Sequence, residues 1–307
     1  MVRYLKLLVA ALLIYWLIQS QHLDFSAIGA SFMSLDQVMV AVALLLGLGV
    51  QIIRWFLILR MQGITIALRD TARVFWIGQL FFMTSFGLAG GEAARGYYIR
   101  RYAGKKTVAA LSTLFIDRLL GLYTLTVLGS MAFLAMGRYS ELPPSVYHMG
   151  YVALFIAIGI TLFFFLLYHK RGRNLIISRL PESWQDRLGD LFAQGEQRVG
   201  QLPRLFLVST IANIAIIVAF KLASDVLQTP IGWLDILLIT PLVAIANSLP
   251  ISFGGLGVGE AAAQALMAQV GIADGAAIML SVRVTQWVAV LPVGVFFYIV
   301  EGKKAGS

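Results

Sequence analysis

Apolar residues fall along the chain in long blocks rather than in alternation. Runs at 4–19, 37–59, 108–136, 149–168, 204–222 and 276–300 approach or exceed the roughly 20 helical residues that a hydrocarbon core requires. They lack the period-two pattern of barrel strands, so the spans they predict are helices. Two further apolar stretches, 74–104 and 234–270, are interrupted by glycine. Between the fourth and fifth runs lies the one sizeable polar piece, 169–203. Within its ESWQDRLGDLFAQGEQRVG, Trp184, Leu188, Leu191, Phe192 and Val199 recur near helical spacing, with Asp186, Arg187, Asp190, Glu196 and Arg198 between them. That pattern predicts an amphipathic helix on the membrane surface, with a plain connector as the alternative. The connection 137–148, with Pro143 and Pro144, reads as a short turn.

Composition makes the membrane reading firm. Of 307 residues, 59% are hydrophobic and 13% charged, and the mean hydropathy is +0.84, far from the balance of a soluble domain. The first run follows Arg3 and Lys6 as in a signal sequence, but no small-x-small cleavage site precedes QHLDFS, so a retained helix is expected. With no cysteine, disulfides and thiolate sites are excluded.

The net charge of +9 would fit a nucleic-acid partner, but its placement fits a membrane instead. Twenty of the 24 Lys and Arg residues fall in 1–6, 54–106, 169–204 and 303–304, while 20–36 and 223–235 hold none. This asymmetry predicts a multi-pass protein of the cytoplasmic (inner or plasma) membrane with both termini cytoplasmic. Basic residues there also attract anionic lipids.

Those anchors order the spans: 4–19 outward, 37–59 inward, 108–136 outward, 149–168 inward, 204–222 outward and 276–300 inward. Segment 74–104 is flanked by Arg69 and Arg73 and by Arg100, Arg101, Lys105 and Lys106, so both its ends face the cytoplasm. Segment 234–270 lies between Asp225 and Asp235 on one side and Asp274 on the other, so both its ends face outward. Each is expected to be re-entrant; for the second, 234–250 and 252–270 each crossing the bilayer as a hairpin is the alternative.

At the middle of each stands nearly the same phrase, SFGLAGGEAA at 85–94 and SFGGLGVGEAA at 252–262. An arginine follows in the next span, Arg118 lying 26 residues after Glu92 and Arg283 lying 23 after Glu260. Span, broken segment and Arg-bearing span thus occur twice with opposite orientation, about 37–136 and about 204–300. The expected fold is an all-α polytopic membrane protein, one transmembrane domain over 1–307, built from inverted-topology repeats that each hold a Gly-interrupted re-entrant segment. Close helix packing is the competing explanation for the glycines.

An ionisable side chain at mid-bilayer costs roughly 2.5–3.5 kcal/mol, so each needs a partner or a task. Glu92, Asp117, Arg118, Glu260 and Arg283 are the candidates. Arginine holds a phosphate bidentately where lysine does not. If helices restart after Gly90-Gly91 and after Gly259, their N-termini add phosphate-binding N–H groups. Equally, Glu92 can pair with Arg95 one turn away, and Glu260 can form a fixed bridge to Arg283. Asn213, Asn247, Ser248 and Gln286 read as helix glue, and Lys221 with Asp225 as an outer-interface pair. His22, His148 and His169 lie in loops or at helix ends, which leaves no metal cluster or Ser-His-Asp set at membrane depth. A P-loop and the GxSxG motif are absent too. Neither a metal nor another cofactor is expected.

The stretch FGLAGGEAARGYYIRRYAGKK, the later IDRLLGLY, then LPISFGGLGVGEAAA and an intramembrane arginine resemble the lysylphosphatidylglycerol synthase transmembrane-region family, also called flippase-like, over about residues 37–300. The resemblance implies the transport half of such proteins without the soluble aminoacyl-transferase domain, for which the seven residues after the last span leave no room. It implies a lipid translocator for a phospholipid or polyprenyl-phosphate-linked headgroup, not an enzyme. An intramembrane transferase using such a donor, with Glu92 or Glu260 as base, is the alternative. The implied partners are membrane lipids: anionic or aminoacylated phospholipids, or polyprenyl-phosphate lipids. A homo-oligomer or an envelope-biosynthesis partner is a further expectation. The family's motif positions fall on Gly90, Gly91, Glu92, Arg95, Asp117, Arg118, Gly254, Gly255, Gly257, Glu260 and Arg283. Asp117 is shorter than the glutamate usual before that arginine.

Overall fold

The computed structural model describes residues 34–84, 87–137, 142–168, 199–248 and 255–305. The run 4–19, nearly all of the amphipathic stretch 169–203, and Gly254 lie outside them. The described residues form helices and no strand. In chain order the helices are α1 (Leu35–Met61), α2 (Leu68–Thr84), α3 (Leu88–Ala103), α4 (Thr107–Met136), α5 (Pro144–Tyr168), α6 (Leu202–Val226), α7 (Trp233–Ser248), α8 (Val258–Ala268) and α9 (Gly275–Ala305). Five stretches are long and apolar enough to cross a membrane: Leu35–Met61, Leu88–Met136, Pro144–Leu166, Leu202–Val226 and Gly275–Glu301. The chain is a helical membrane protein, and five of the six apolar runs fall in stretches long and apolar enough to cross.

Local chemistry sets the helix ends. The Ser34 hydroxyl accepts the Gln37 N–H at 3.2 Å and Asp36 sits in the first turn of α1, satisfying an orphan donor and the helix dipole. The same helix stops at Gly63, whose φ of 68° admits glycine readily, and Ile64 N–H returns to the Leu59 carbonyl at 3.0 Å. Pro144 opens α5, so the turn expected over 137–148 gives way to helix earlier than its prolines suggest. Proline suits the first helical position because its missing N–H would have had no partner there.

Consecutive helices fold back around the broken phrases. An added Cβ on Gly78 of α2 would lie 2.4 Å from Arg95 Cγ and 3.2 Å from the Gly91 carbonyl of α3, so α2 and α3 form a hairpin. α7 packs on α8 in the same way. The longest helix–helix contact is α1 against α6. These two run antiparallel, with Gly47 against Ala212 and Ile216, and Arg54 beside Ser209. Partners are then exchanged between the halves: α2 of the first hairpin packs on α9, and α7 of the second packs on α4. Both contacts are glycine-mediated, Gly294 lying against Trp76 and Leu80, and Gly129 against Leu237, Leu238 and Pro241. α5 rests mainly on α4 and leaves Phe155, Ile158 and Phe165 exposed, as a lipid-facing helix does.

Two apolar clusters flank the centre. One gathers Leu48, Trp55, Phe75, Ile99 and Leu114 from α1–α4. The other gathers Val40, Phe133, Ile217, Ile239 and Met267 from five different helices.

Candidate functional site

The two glutamates of the repeated phrase do different work because their helices begin at different points. α3 starts at Leu88 after Gly87 (φ 58°), and α8 starts at Val258 after Gly257 (φ 82°). Both starts precede the expected restarts after Gly90-Gly91 and after Gly259, because a positive-φ glycine upstream releases the chain into the helix sooner. Glu260 therefore stands at the third helical position, where its Oε2 accepts the Gly257 N–H at 2.7 Å. Glu92 stands two residues deeper in α3, out of reach of a capping bond, and its Oε2 has no partner.

In the first half five charges interlock. Asp117 is buried and takes Arg54 Nε at 2.7 Å on one oxygen and Arg95 Nη2 at 3.2 Å on the other. Glu92 Oε1 receives Arg95 Nη1 at 3.1 Å and Arg118 Nη2 at 2.5 Å. The Arg95 guanidinium also lies 4.0 Å over the Trp55 ring and 5.2 Å from Phe75, in space that Gly78 leaves open. Arg54 continues the network: Nη1 donates to Ser209 at 2.8 Å, Ser209 meets Thr124 at 2.8 Å, and Asn213 donates to Thr124 at 2.7 Å.

The second half is simpler. Arg283 Nε binds Glu260 Oε1 at 2.5 Å, while its Nη2 donates to Asn247 Oδ1 at 2.9 Å and to the Gly255 carbonyl at 3.1 Å. Gly255 has φ 75°, and a Cβ there would lie 2.4 Å from Asn247 Oδ1, so only glycine lets this carbonyl face the arginine.

Both Arg118 and Arg283 line one partly open cavity of about 240 Å³, formed by side chains of α1, α2, α4, α6, α7 and α9 and by Leu88 at the head of α3. Arg118 is 34% exposed and Glu92 20%, whereas Arg283 and Glu260 are buried. The other candidates stand behind this wall. Asp117 and Arg95 hold the first-half network together, Gly90 and Gly91 sit in the first turn of α3 with Gly91 packed on Gly78, and Gly255 and Gly257 shape the start of α8. Of the two helix N-termini, that of α3 reaches the cavity through Leu88, while that of α8 is already occupied by the Glu260 carboxylate.

Arg54 is the participant that sequence pattern does not single out. It belongs to the basic stretch 54–106 that sets orientation, yet it and Arg95 are 2% exposed. A buried cation next to a basic loop is indistinguishable from a loop cation by counting alone; the signal was its position inside the apolar run QIIRWFLIL. Removing both from the count leaves seven of the nine and the same asymmetry. Asn213, Asn247, Ser248 and Gln286, read from sequence as glue, all line the cavity, as do Gln51 and Gln79. Lys221 and Asp225 do pair, one turn apart on α6.

Among the described residues no three His, Cys, Asp or Glu side chains converge as metal ligands. No curated protein and no solved structure matches the chain. The lysylphosphatidylglycerol synthase TM region family model matches residues 3–294, and the chain belongs to that family of membrane proteins with a lipid-related role.

Proposed function

We propose that the protein is a lipid translocator of the cytoplasmic membrane, which passes the headgroup of a phospholipid or polyprenyl-phosphate lipid through the central cavity while the tails stay in the bilayer. No covalent change is made to the lipid. The observation that carries this reading is the convergence of Arg118 and Arg283, one from each half of the chain, on a single cavity. Guanidinium groups match phosphate oxygens in pairs. The cavity volume of about 240 Å³ is many times the roughly 10–15 Å³ that one water needs by the same measure, which leaves room for a polar headgroup.

In the unloaded protein each arginine rests on a carboxylate, Arg118 on Glu92 and Arg283 on Glu260. An arriving phosphate takes over part of that pairing, and the carboxylates take it back on release. No guanidinium is then left alone in a low-dielectric interior, where an unpaired charge costs several kcal/mol. Glu92, partly exposed and free of any capping duty, is the better gate. Glu260, tied to the Gly257 N–H, is the fixed support of Arg283.

The halves at about 37–136 and 204–300 form inverted-topology repeats in this reading, with the hairpins α2–α3 and α7–α8 re-entering from opposite faces and both termini cytoplasmic. Three features support it: α1 and α6 run antiparallel, the hairpins exchange partners, and Gly129 and Gly294 each lie 11 residues beyond their arginine and each mediate that exchange.

The test is reconstitution into liposomes with headgroup-labelled lipid, read by accessibility of the inner-leaflet label without ATP. Wild type should expose it, and Arg118→Ala should slow exposure about tenfold or more, the scale of one charge-assisted contact worth roughly 1.5–3 kcal/mol. An unslowed Arg118→Ala protein would sink the assignment. A chemically altered lipid would replace it with the transferase.

A further inference from the structure

The cavity wall carries more hydrogen-bonding capacity than the protein itself uses. Gln51 on α1 and Gln79 on α2 line the cavity and are 9% and 7% exposed. Neither amide, nor that of Gln286 on α9, bonds to another described residue. Buried amides nearly always find partners, so two buried amides without a protein partner, and a third that is half-buried, around a single cavity point to a polar occupant. Each presents two N–H donors and one carbonyl acceptor, the combination that a hydroxyl group matches from both sides.

Charge sets a second condition. The first half gathers Arg54, Arg95 and Arg118 against Glu92 and Asp117, three positive charges to two negative, and the second half balances Arg283 with Glu260. The site thus carries one excess positive charge. None of the described residues lining the cavity is acidic, and the sequence at the two breaks, 85–86 and 249–254, contains no Asp or Glu. Asp117 is enclosed by Arg54 and Arg95, Glu260 by Arg283 and its own helix start, and the unpaired Glu92 Oε2 is itself buried. An ammonium group entering here meets two guanidinium groups on a wall without a carboxylate, and it adds to the excess positive charge. A single phosphate neutralises the excess.

We infer that the cavity selects a lipid headgroup composed of one phosphate anion and uncharged hydroxyls, a glycerol or a sugar, and refuses a headgroup that carries an ammonium. This rests on the translocator reading and narrows it: of the lipids expected from sequence, aminoacylated and other amino-bearing headgroups are set aside. Glycerol and sugar share the recognised chemistry, and the lipid panel separates them.

The experiment measures binding and transfer on the same full-length protein. Native mass spectrometry of the protein in detergent ranks phosphatidylglycerol, phosphatidic acid, phosphatidylethanolamine, lysylphosphatidylglycerol and a glycosyl polyprenyl phosphate, and liposomes report transfer of labelled versions. Phosphatidylglycerol or the glycosyl lipid should bind at least about tenfold more tightly than either ammonium-bearing lipid, the range for a site built around hydroxyl contacts and one charge. Phosphatidic acid, with the anion but no hydroxyls, should fall between. Gln79→Leu should erase the advantage over phosphatidic acid, and Gln79→Glu should raise acceptance of phosphatidylethanolamine; Gln51→Leu serves if either protein fails to fold. Equal or tighter binding of an ammonium-bearing lipid, no lipid binding, or glutamine variants that leave the ranking unchanged, as when the amides hold only water, each overturns the assignment. Selective binding without transfer leaves it standing and removes the translocator. Transfer that ignores the headgroup does the reverse.

Discussion

At the residue scale, the five-charge network and the single Glu260–Arg283 pair pose different stability problems. Asp117 serves two arginines that are themselves 2% exposed, so Asp117→Asn buries two cations without their shared carboxylate. Breaking a buried pair in this way costs about 3–5 kcal/mol. Arg118 is a third exposed, and Glu92 keeps Arg95 when it is lost, so Arg118→Ala should cost about 1 kcal/mol or less. Thermal unfolding in detergent distinguishes the two: Asp117→Asn should lower the midpoint far more than Arg118→Ala. Comparable losses would mean that Asp117 is not the keystone of the network. The sequence exposed Glu92, Arg95, Asp117 and Arg118 as ionisable residues in an apolar setting, but not who pairs with whom. Adjacent Asp117 and Arg118 point to different sides of α4, roughly 100° apart on a helix, and Arg54 comes from a helix more than fifty residues earlier in the chain. Such pairings are fixed by how helices cross, which spacing along one chain does not encode.

At the element scale, two hairpins and two close crossings hold the halves together. An added Cβ at Gly129 would lie 2.7 Å from Pro241 Cγ, and one at Gly294 would lie 2.9 Å from Leu80 Cβ and 3.1 Å from the Trp76 carbonyl. Small residues let helix backbones approach in lipid, where no hydrophobic force draws them together. Gly129→Val and Gly294→Val should therefore each force their helices apart and destabilise by about 1–3 kcal/mol, whereas Gly159→Val on α5, where nothing lies within 4 Å, should be nearly neutral. The two interface variants should behave alike if their crossings are equivalent; a neutral result at one with a large loss at the other would break the equivalence. The apolar runs displayed their helices plainly, because length and hydropathy dictate spans. The helix starts inside the repeated phrase were less legible. Several glycines in each phrase can take a positive φ, and packing against α2 or Asn247 decides which of them do.

At the scale of the whole molecule, inverted repeats demand that the two hairpins open toward opposite sides of the membrane. The absence of cysteine makes this directly measurable, since a single introduced thiol is the only one present. Lys105→Cys marks the turn between α3 and α4, and Asp274→Cys the turn between α8 and α9. A membrane-impermeant maleimide should label Asp274→Cys in intact cells and Lys105→Cys only after permeabilisation. Thr84→Cys, at the inner end of the first hairpin's leading arm, tests depth. α2 has 17 residues, about 25 Å of helix at 1.5 Å per residue, somewhat short of the roughly 30 Å hydrocarbon core. A re-entrant tip should thus stay unlabelled in intact cells, whereas a hairpin of two full crossings would bring it out to the external reagent. Labelling of Lys105→Cys and Asp274→Cys from one side would exclude opposed repeats altogether. Arg118 and Arg283 would then be two arginines on similarly directed elements, and the alternating exposure of one cavity to the two leaflets would lose its structural basis.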